Sequence, residues 1–391
     1  MFQLKSSCLG LILLFVVSHH CFGQSFIKKP SFFKSELKES LESQIIFALD
    51  SLYSDMNDYN LSDNQLSIKT SELTKAVLNR YLLSPLKRKK TNFTQYSNQL
   101  SNLYPLNDGR FMVSVAHIHK TSLELEYKIE LLGQLENGKI KFSSPLYYYA
   151  SNWKTQKVGN INYHYRDTIQ VARAHVFDKK NTSIATKLEL SPDEFDFFMC
   201  HNEQEVLKFL GIQLMARRSG STRNGFGVYS RVICSIMNHE DFSHDVFHYY
   251  SGKVNKDENR NWITEEGVAY ARGNAYYTDR EGEMISLERL VLELKQYIKK
   301  NQEVDLFDLF IKNTKIFKHI APEISVRSTI SGVFVKEVEE RKGIEGVLKL
   351  INCGSKNRME KYLETINQLL GINRENFNDE LFKLITKNEK L

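Results

Sequence analysis

His244 and His248 stand four residues apart, and Glu266 follows the second histidine by eighteen. On a helix, side chains four apart lie only about 40° apart round the axis and about 6 Å along it, so both imidazoles reach one point. Two imidazole nitrogens with a carboxylate from a later element form the ligand set of a catalytic zinc, leaving a fourth position for water. The expected cofactor is therefore Zn2+, held by His244, His248 and Glu266. Asp245, directly after the first histidine, borders the metal-facing side and is the candidate catalytic base. Glu265 is a fallback ligand, and Asp241 and Asn274 are candidate partners that orient the imidazoles. His239, five residues before His244, faces elsewhere on such a helix.

Two helices must carry these groups. Asn238 is a plausible N-cap for the first, with Asp241 in its first turn, and Thr264 for the second, with Glu265 and Glu266 favoured by the dipole. Ala269 and Gly273 lie on one face of the second helix and are small enough for close approach. The strand-like segment Gly227–Ile236 runs directly into the histidine segment.

At this point the chain resembles the gluzincin metallopeptidases, the group of aminopeptidase N, thermolysin and the peptidase MA-like domains. Their pattern is HExxH with a glutamate about eighteen to twenty residues on, often within WLxEGxAxY. The matching residues are His244-Asp245-Val246-Phe247-His248, then Trp262 and Glu266-Gly267-Val268-Ala269-Tyr270. Ser331-Gly332-Val333-Phe334-Val335 and Lys342-Gly343 are similar to a downstream helix of that family. The resemblance spans residues 165 to 375, while its specific motifs occupy barely thirty positions. It implies a zincin-like α+β catalytic domain and a zinc-activated water that hydrolyses peptide bonds of a peptide or protein substrate.

The chain departs from the pattern in three places. One extra residue separates Trp262 from the Glu-Gly pair. Asp245 replaces the family's glutamate and is one methylene shorter; a displacement of roughly 1 Å can cost on the order of 100-fold in rate. Ser328 and Thr329 stand where many relatives carry a tyrosine that stabilises the oxyanion, and Tyr270, Tyr276 or Tyr277 are candidate substitutes. Three readings follow: a secreted zinc peptidase, a zinc-binding but catalytically weak binding or scaffold module, and an α+β protein without metal.

The rest of the chain supplies the setting. Its 391 residues, 41% hydrophobic and 12% aromatic, are enough for two domains or one large one. Fifty-three basic and 47 acidic side chains are mixed along it, for a net charge of +6, so no broad nucleic-acid footprint appears. Lys87-Arg88-Lys89-Lys90 reads as an exposed connector. Lys5, the apolar run Leu9–Val17 and Cys21-Phe22-Gly23 read as a cleavable signal peptide over residues 1–23, implying secreted or periplasmic location. Such a run is too short to span a membrane, and no later one qualifies. Cys200, Cys234 and Cys353 then remain, allowing one disulfide and a free thiol.

Helical periodicity marks residues 24–105, whose role as propeptide, binding arm or core stays open. Alternation over 106–165 predicts an antiparallel β region, with a hairpin turning at Glu136-Asn137-Gly138 and strand-like pieces at 145–153 and 160–166. Residues 166–391 are read as the gluzincin-like domain with a helical C-terminal half. His117 and His119 share one sheet face, where a structural role is favoured. Asn60, Asn92 and Asn181 begin glycosylation sequons.

Overall fold

The computed structural model describes residues 25–216, 220, 225–275, 278–279 and 281–387. The signal segment, Tyr276 and Tyr277 lie outside the described residues. The architecture is mixed α+β, with β-sheet and helix in the N-terminal part and a helical bundle at the C-terminus. The chain divides into two compact units, one formed by residues up to Tyr148 with the segment from Phe209, the other by Tyr149–Lys208 and the later chain.

In the first unit, helices α1 (Glu39–Asn57), α2 (Ser71–Leu78) and α3 (Ser84–Lys89) accompany a six-stranded sheet. Its strands are β1 (Ile27–Lys28), β2 (Tyr96–Pro105), β3 (Phe111–His119), β4 (Leu125–Glu136), β5 (Lys139–Ser143) and β9 (Ile212–Met215), ordered β1-β2-β3-β4-β5 with β9 also on β4. The hairpin turn falls where expected: Asn137 and Gly138 adopt φ of 50° and 75°, the paired left-handed geometry of a tight two-residue connection.

Several sequence expectations change here. Strand β2 occupies residues read as helical, because polar Asn98 interrupts its apolar alternation; buried, Asn98 donates through Nδ2 to the carbonyls of Phe26 and Phe93. Residues Leu146–Tyr149 form a helical turn rather than a strand, following Pro145, whose fixed φ suits a helix start. The basic run is no connector: Lys87, Arg88 and Lys89 end α3, and Lys90 closes it in a left-handed conformation. His117 is a core group between Tyr53 Oη at 3.1 Å and Asn98 Oδ1 at 3.0 Å, with its pKa pushed down to about 3 by burial.

The second unit holds a five-stranded mixed sheet ordered β10 (Phe226–Tyr229), β11 (Val232–Ser235), β8 (Phe195–Met199), β7 (Ile161–Tyr165), β6 (Lys154–Val158). Strands β7, β8 and β11 are parallel, and the two edge strands antiparallel. Alternate residues Ile161, Tyr163, Phe195, Phe197 and Ile233 enter one apolar core with Phe177 and Ile184 of α4 (Val171–Lys187). Val246, Phe247 and Tyr250 of α6 (Ser243–Val254) join the same core, so the helix carrying the histidines is anchored by its opposite face. Asn181 is buried within α4 and bonded to Tyr250 Oη, which leaves its sequon inaccessible, whereas Asn60 is exposed. Cys200, Cys234 and Cys353 are unbridged.

The helical part continues with α5 (Glu203–Leu210) before the histidine segment, then α7 (Trp262–Arg272), α8 (Leu287–Lys300), α9 (Leu306–Lys312), α10 (Val326–Ile351), α11 (Arg358–Leu370) and α12 (Phe377–Lys387). Helix α10 is broken at Gly343, whose φ is 66°. Gly267 lets α7 approach α10 closely: a Cβ there would lie 2.2 Å from Ser331 Oγ and 2.8 Å from the Ser331 carbonyl carbon. Gly273 does the same for α6, since a Cβ would stand 2.9 Å from the His244 amide nitrogen. Among the described residues no helix is long and apolar enough to cross a membrane.

Candidate metal centre

Both helices begin at other residues than the sequence suggested. Helix α6 starts at Ser243, and Asn238 instead takes a left-handed turn at φ 52°. Asp241 lies before the helix and accepts the Ser243 amide through Oδ1 at 2.8 Å, so it does the capping from outside the first turn. Helix α7 is capped by Asn261, whose side chain accepts from the Ile263 amide; Thr264 lies inside the helix and bonds the Leu350 carbonyl. Adjacent helical residues diverge by about 100°, so one can face the histidines from the front and the other from behind.

His244, His248 and Glu266 converge. Their candidate ligand atoms all lie within 4.8 Å of one another. The two Nε2 atoms are 3.3 Å apart, Glu266 Oε1 is 3.4 Å from His248 Nε2, and Glu266 Oε2 is 3.6 Å from His244 Nε2. Ligand atoms at 2.0–2.1 Å from a tetrahedral zinc are separated by about 3.3–3.4 Å. The carboxylate turns one oxygen to each imidazole at separations close to those between corners of such a site, and the cluster can coordinate a divalent metal ion.

The proton inventory points the same way. His244 Nδ1 is 2.9 Å from the Asn274 carbonyl, which can only accept, so Nδ1 carries the proton and Nε2 presents a lone pair. His248 Nδ1 lies 3.1 Å from Glu265 Oε2, which fixes the same tautomer for its neutral form. Two lone pairs and a carboxylate would then face one another with no donor between them. A cation resolves that conflict; in its absence a proton must.

The electrostatics identify where that proton sits. Burial alone would lower the pKa of His248, but its hydrogen bonds with Glu265 and Glu266 outweigh it and push it up to about 9. His244 moves down, through burial first and the neighbouring His248 second. Burial opposes ionisation of Glu266, and the imidazoles outweigh it, holding the carboxyl below its ordinary range. In the metal-free centre His248 is thus the group that favours an extra proton, which a metal would displace.

The sign of the pH dependence follows. In the metal-free protein a pKa raised from about 6.5 contributes stability that is complete below 6.5 and lost as pH rises through about 9. Apparent zinc affinity is expected to climb about tenfold per pH unit from near pH 7 and flatten above about pH 9. Competition against a chelator in metal-buffered solution measures this slope; a flat profile between pH 7 and 9 would show that no such proton is displaced.

Around the triangle, Glu265 is fully buried and does not face it from the front. Its Oε1 accepts from Ser251 Oγ at 2.5 Å and Arg260 Nε at 3.2 Å, and its Oε2 from Arg260 Nη2 at 2.8 Å as well as from His248. Trp262, 47% exposed, stacks on His248 with centroids 4.9 Å apart and planes 13° apart. Asn274 supports His244 by its backbone, and its side chain donates to Asp241 Oδ2 at 3.0 Å, which also pairs with Lys180 at 2.7 Å. Asp245 sits half-buried in the first turn of α6, next to His244. Tyr270 presents its ring edge-on to His244 at 5.8 Å, and its hydroxyl accepts the Ser325 amide at 3.4 Å, just before α10. His239 is buried and its Nδ1 accepts the Asp241 amide.

Sequence reasoning missed Arg260 and Ser251, and the part played by Glu265. The doubled glutamate was the only available signal, because a second carboxylate beside a ligand must either bind the ion or serve a ligand from behind. No protein-family model matches the chain, and no curated protein matches it in sequence.

Proposed function

We propose that the chain is a secreted, zinc-dependent metallopeptidase of the gluzincin kind, with a zincin-like domain over residues 166–391 whose metal-binding helices lie in the second unit. The observation that carries the reading is the triangle of His244 Nε2, His248 Nε2 and the Glu266 carboxylate, with edges of 3.3 to 3.6 Å. Zinc bound there supplies Lewis acidity toward a carbonyl and lowers the pKa of a water to about 7.

The protein's own groups do the remainder. Glu265 and the Asn274 carbonyl hold the imidazoles by Nδ1 and keep both Nε2 lone pairs turned inward. Asp245 accepts the proton of the attacking water and delivers it to the leaving amide nitrogen. Substrate reaches the centre from the side where His248 and Glu266 are not fully covered.

One observation favours a second reading, a zinc-binding module with weak or absent turnover. The shortened base is joined by the loss of the downstream tyrosine: Ser328 and Thr329 are buried at the start of α10, where Thr329 Oγ1 donates to the Ser325 carbonyl. Neither offers a phenol to an oxyanion. Metal analysis of the purified protein with chelator-sensitive hydrolysis of a broad peptide library separates the readings. One zinc with hydrolysis supports the peptidase, one zinc without it supports the binding module, and no zinc overturns both.

A further inference from the structure

Two adjacent glutamates border this centre, and sequence alone leaves both as ligands. The structure separates them by what stands behind. Glu265 has both oxygens engaged, by Ser251, His248 and a two-point grip from Arg260, inside a site with no exposure. Arg260 is itself nearly buried and has a further acidic neighbour in Asp257 at 3.0 Å. Among the described residues, Glu266 forms its ion pairs with the two histidines. Resting on the metal-centre reading above, we infer that Arg260 is a positioning residue that assigns the roles of the glutamate pair. It commits Glu265 to His248 Nδ1 and so leaves Glu266 as the sole carboxylate ligand.

A planar guanidinium using Nε and Nη2 on the two oxygens of one carboxylate fixes its plane as well as its position. With Glu265 fixed, its Oε2 stays 3.1 Å from His248 Nδ1, and the imidazole is oriented from behind. Without the grip, only Ser251 Oγ and His248 Nδ1 hold this buried carboxylate, and no guanidinium opposes its turning toward the ion. A lysine ammonium is a point charge and cannot reproduce the two-point hold.

Zinc affinity and the visible ligand-field bands of cobalt-loaded full-length protein test this together. In Glu265→Gln, zinc affinity is expected to fall about 10–100-fold with the cobalt band shape kept, because His248 loses its carboxylate but the ligand set does not change. In Arg260→Met, the bands are expected to fall by about half or more as Glu265 joins and coordination rises above four. Arg260→Lys should resemble Arg260→Met, and it decides the matter if circular dichroism shows the methionine variant unfolded. Combining Arg260→Met with Glu265→Gln should restore the original band shape. Unchanged zinc affinity in Glu265→Gln, or an unchanged cobalt spectrum in both Arg260 variants, overturns the assignment while leaving the metal centre standing. Failure of the unmodified protein to bind either ion overturns the metal reading itself.

Discussion

His248→Ala is expected to lose zinc by far more than the roughly 10–100-fold typical of an outer-shell partner, and to lose chelator-sensitive hydrolysis with it. The substitution removes one corner of the triangle. It also removes the imidazole that Glu266 Oε1 meets at 3.4 Å and the one that lies between Glu265 and the centre. The fold should survive, because the core face of α6 is carried by Val246, Phe247 and Tyr250, none of which is disturbed. Glu265 keeps Arg260 and Ser251 as partners, so no buried charge is stranded. Zinc stoichiometry after dialysis, beside a far-ultraviolet circular dichroism spectrum, measures the effect. A folded alanine variant that still carries one tightly held zinc would remove His248 from the centre and the proposal with it.

What the sequence made legible, and what it hid, divides along a physical line. The histidine pair could be read because its spacing is a local property: a four-residue interval on a helix fixes two side chains whatever surrounds them, while Glu266, eighteen residues on, was marked by the Glu-Gly pair after Trp262. The hairpin at Asn137-Gly138 was legible for the same reason, since two successive left-handed residues demand that chemistry. Helix starts were not. Asn238 and Thr264 have the right side chains for caps, but the helices start elsewhere, where Asp241 accepts the Ser243 amide and Asn261 the Ile263 amide. Strand β2 was hidden by buried Asn98, whose partners include Phe26, distant in sequence. Arg260 was invisible because its meaning depends on which way Glu265 turns, and one helical step separates that residue from Glu266. Long-range satisfaction of buried polar groups is the information a single sequence carries least openly.

Asp245 offers the sharpest test of turnover, because two substitutions at one position should move the rate in opposite directions. Asp245→Asn keeps size and nearly all shape but removes the base, and kcat is expected to drop by about 10²–10⁴-fold. Zinc affinity should hardly change, since the metal triangle of His244, His248 and Glu266 does not include this residue. Asp245→Glu lengthens the side chain by one methylene and is expected to raise kcat by up to about 100-fold if reach is what limits proton transfer. Asp245 stands half-buried in the first turn of α6 and is not among the residues of its apolar face, Val246, Phe247 and Tyr250. Steady-state hydrolysis of one responsive library peptide, with zinc content measured in parallel, gives both numbers. Full turnover in the asparagine variant would refute the assigned base. If the protein holds zinc yet neither it nor the glutamate variant turns over, the binding-module reading gains, because then the deficit lies beyond Asp245, where Ser328 and Thr329 stand in place of a phenol.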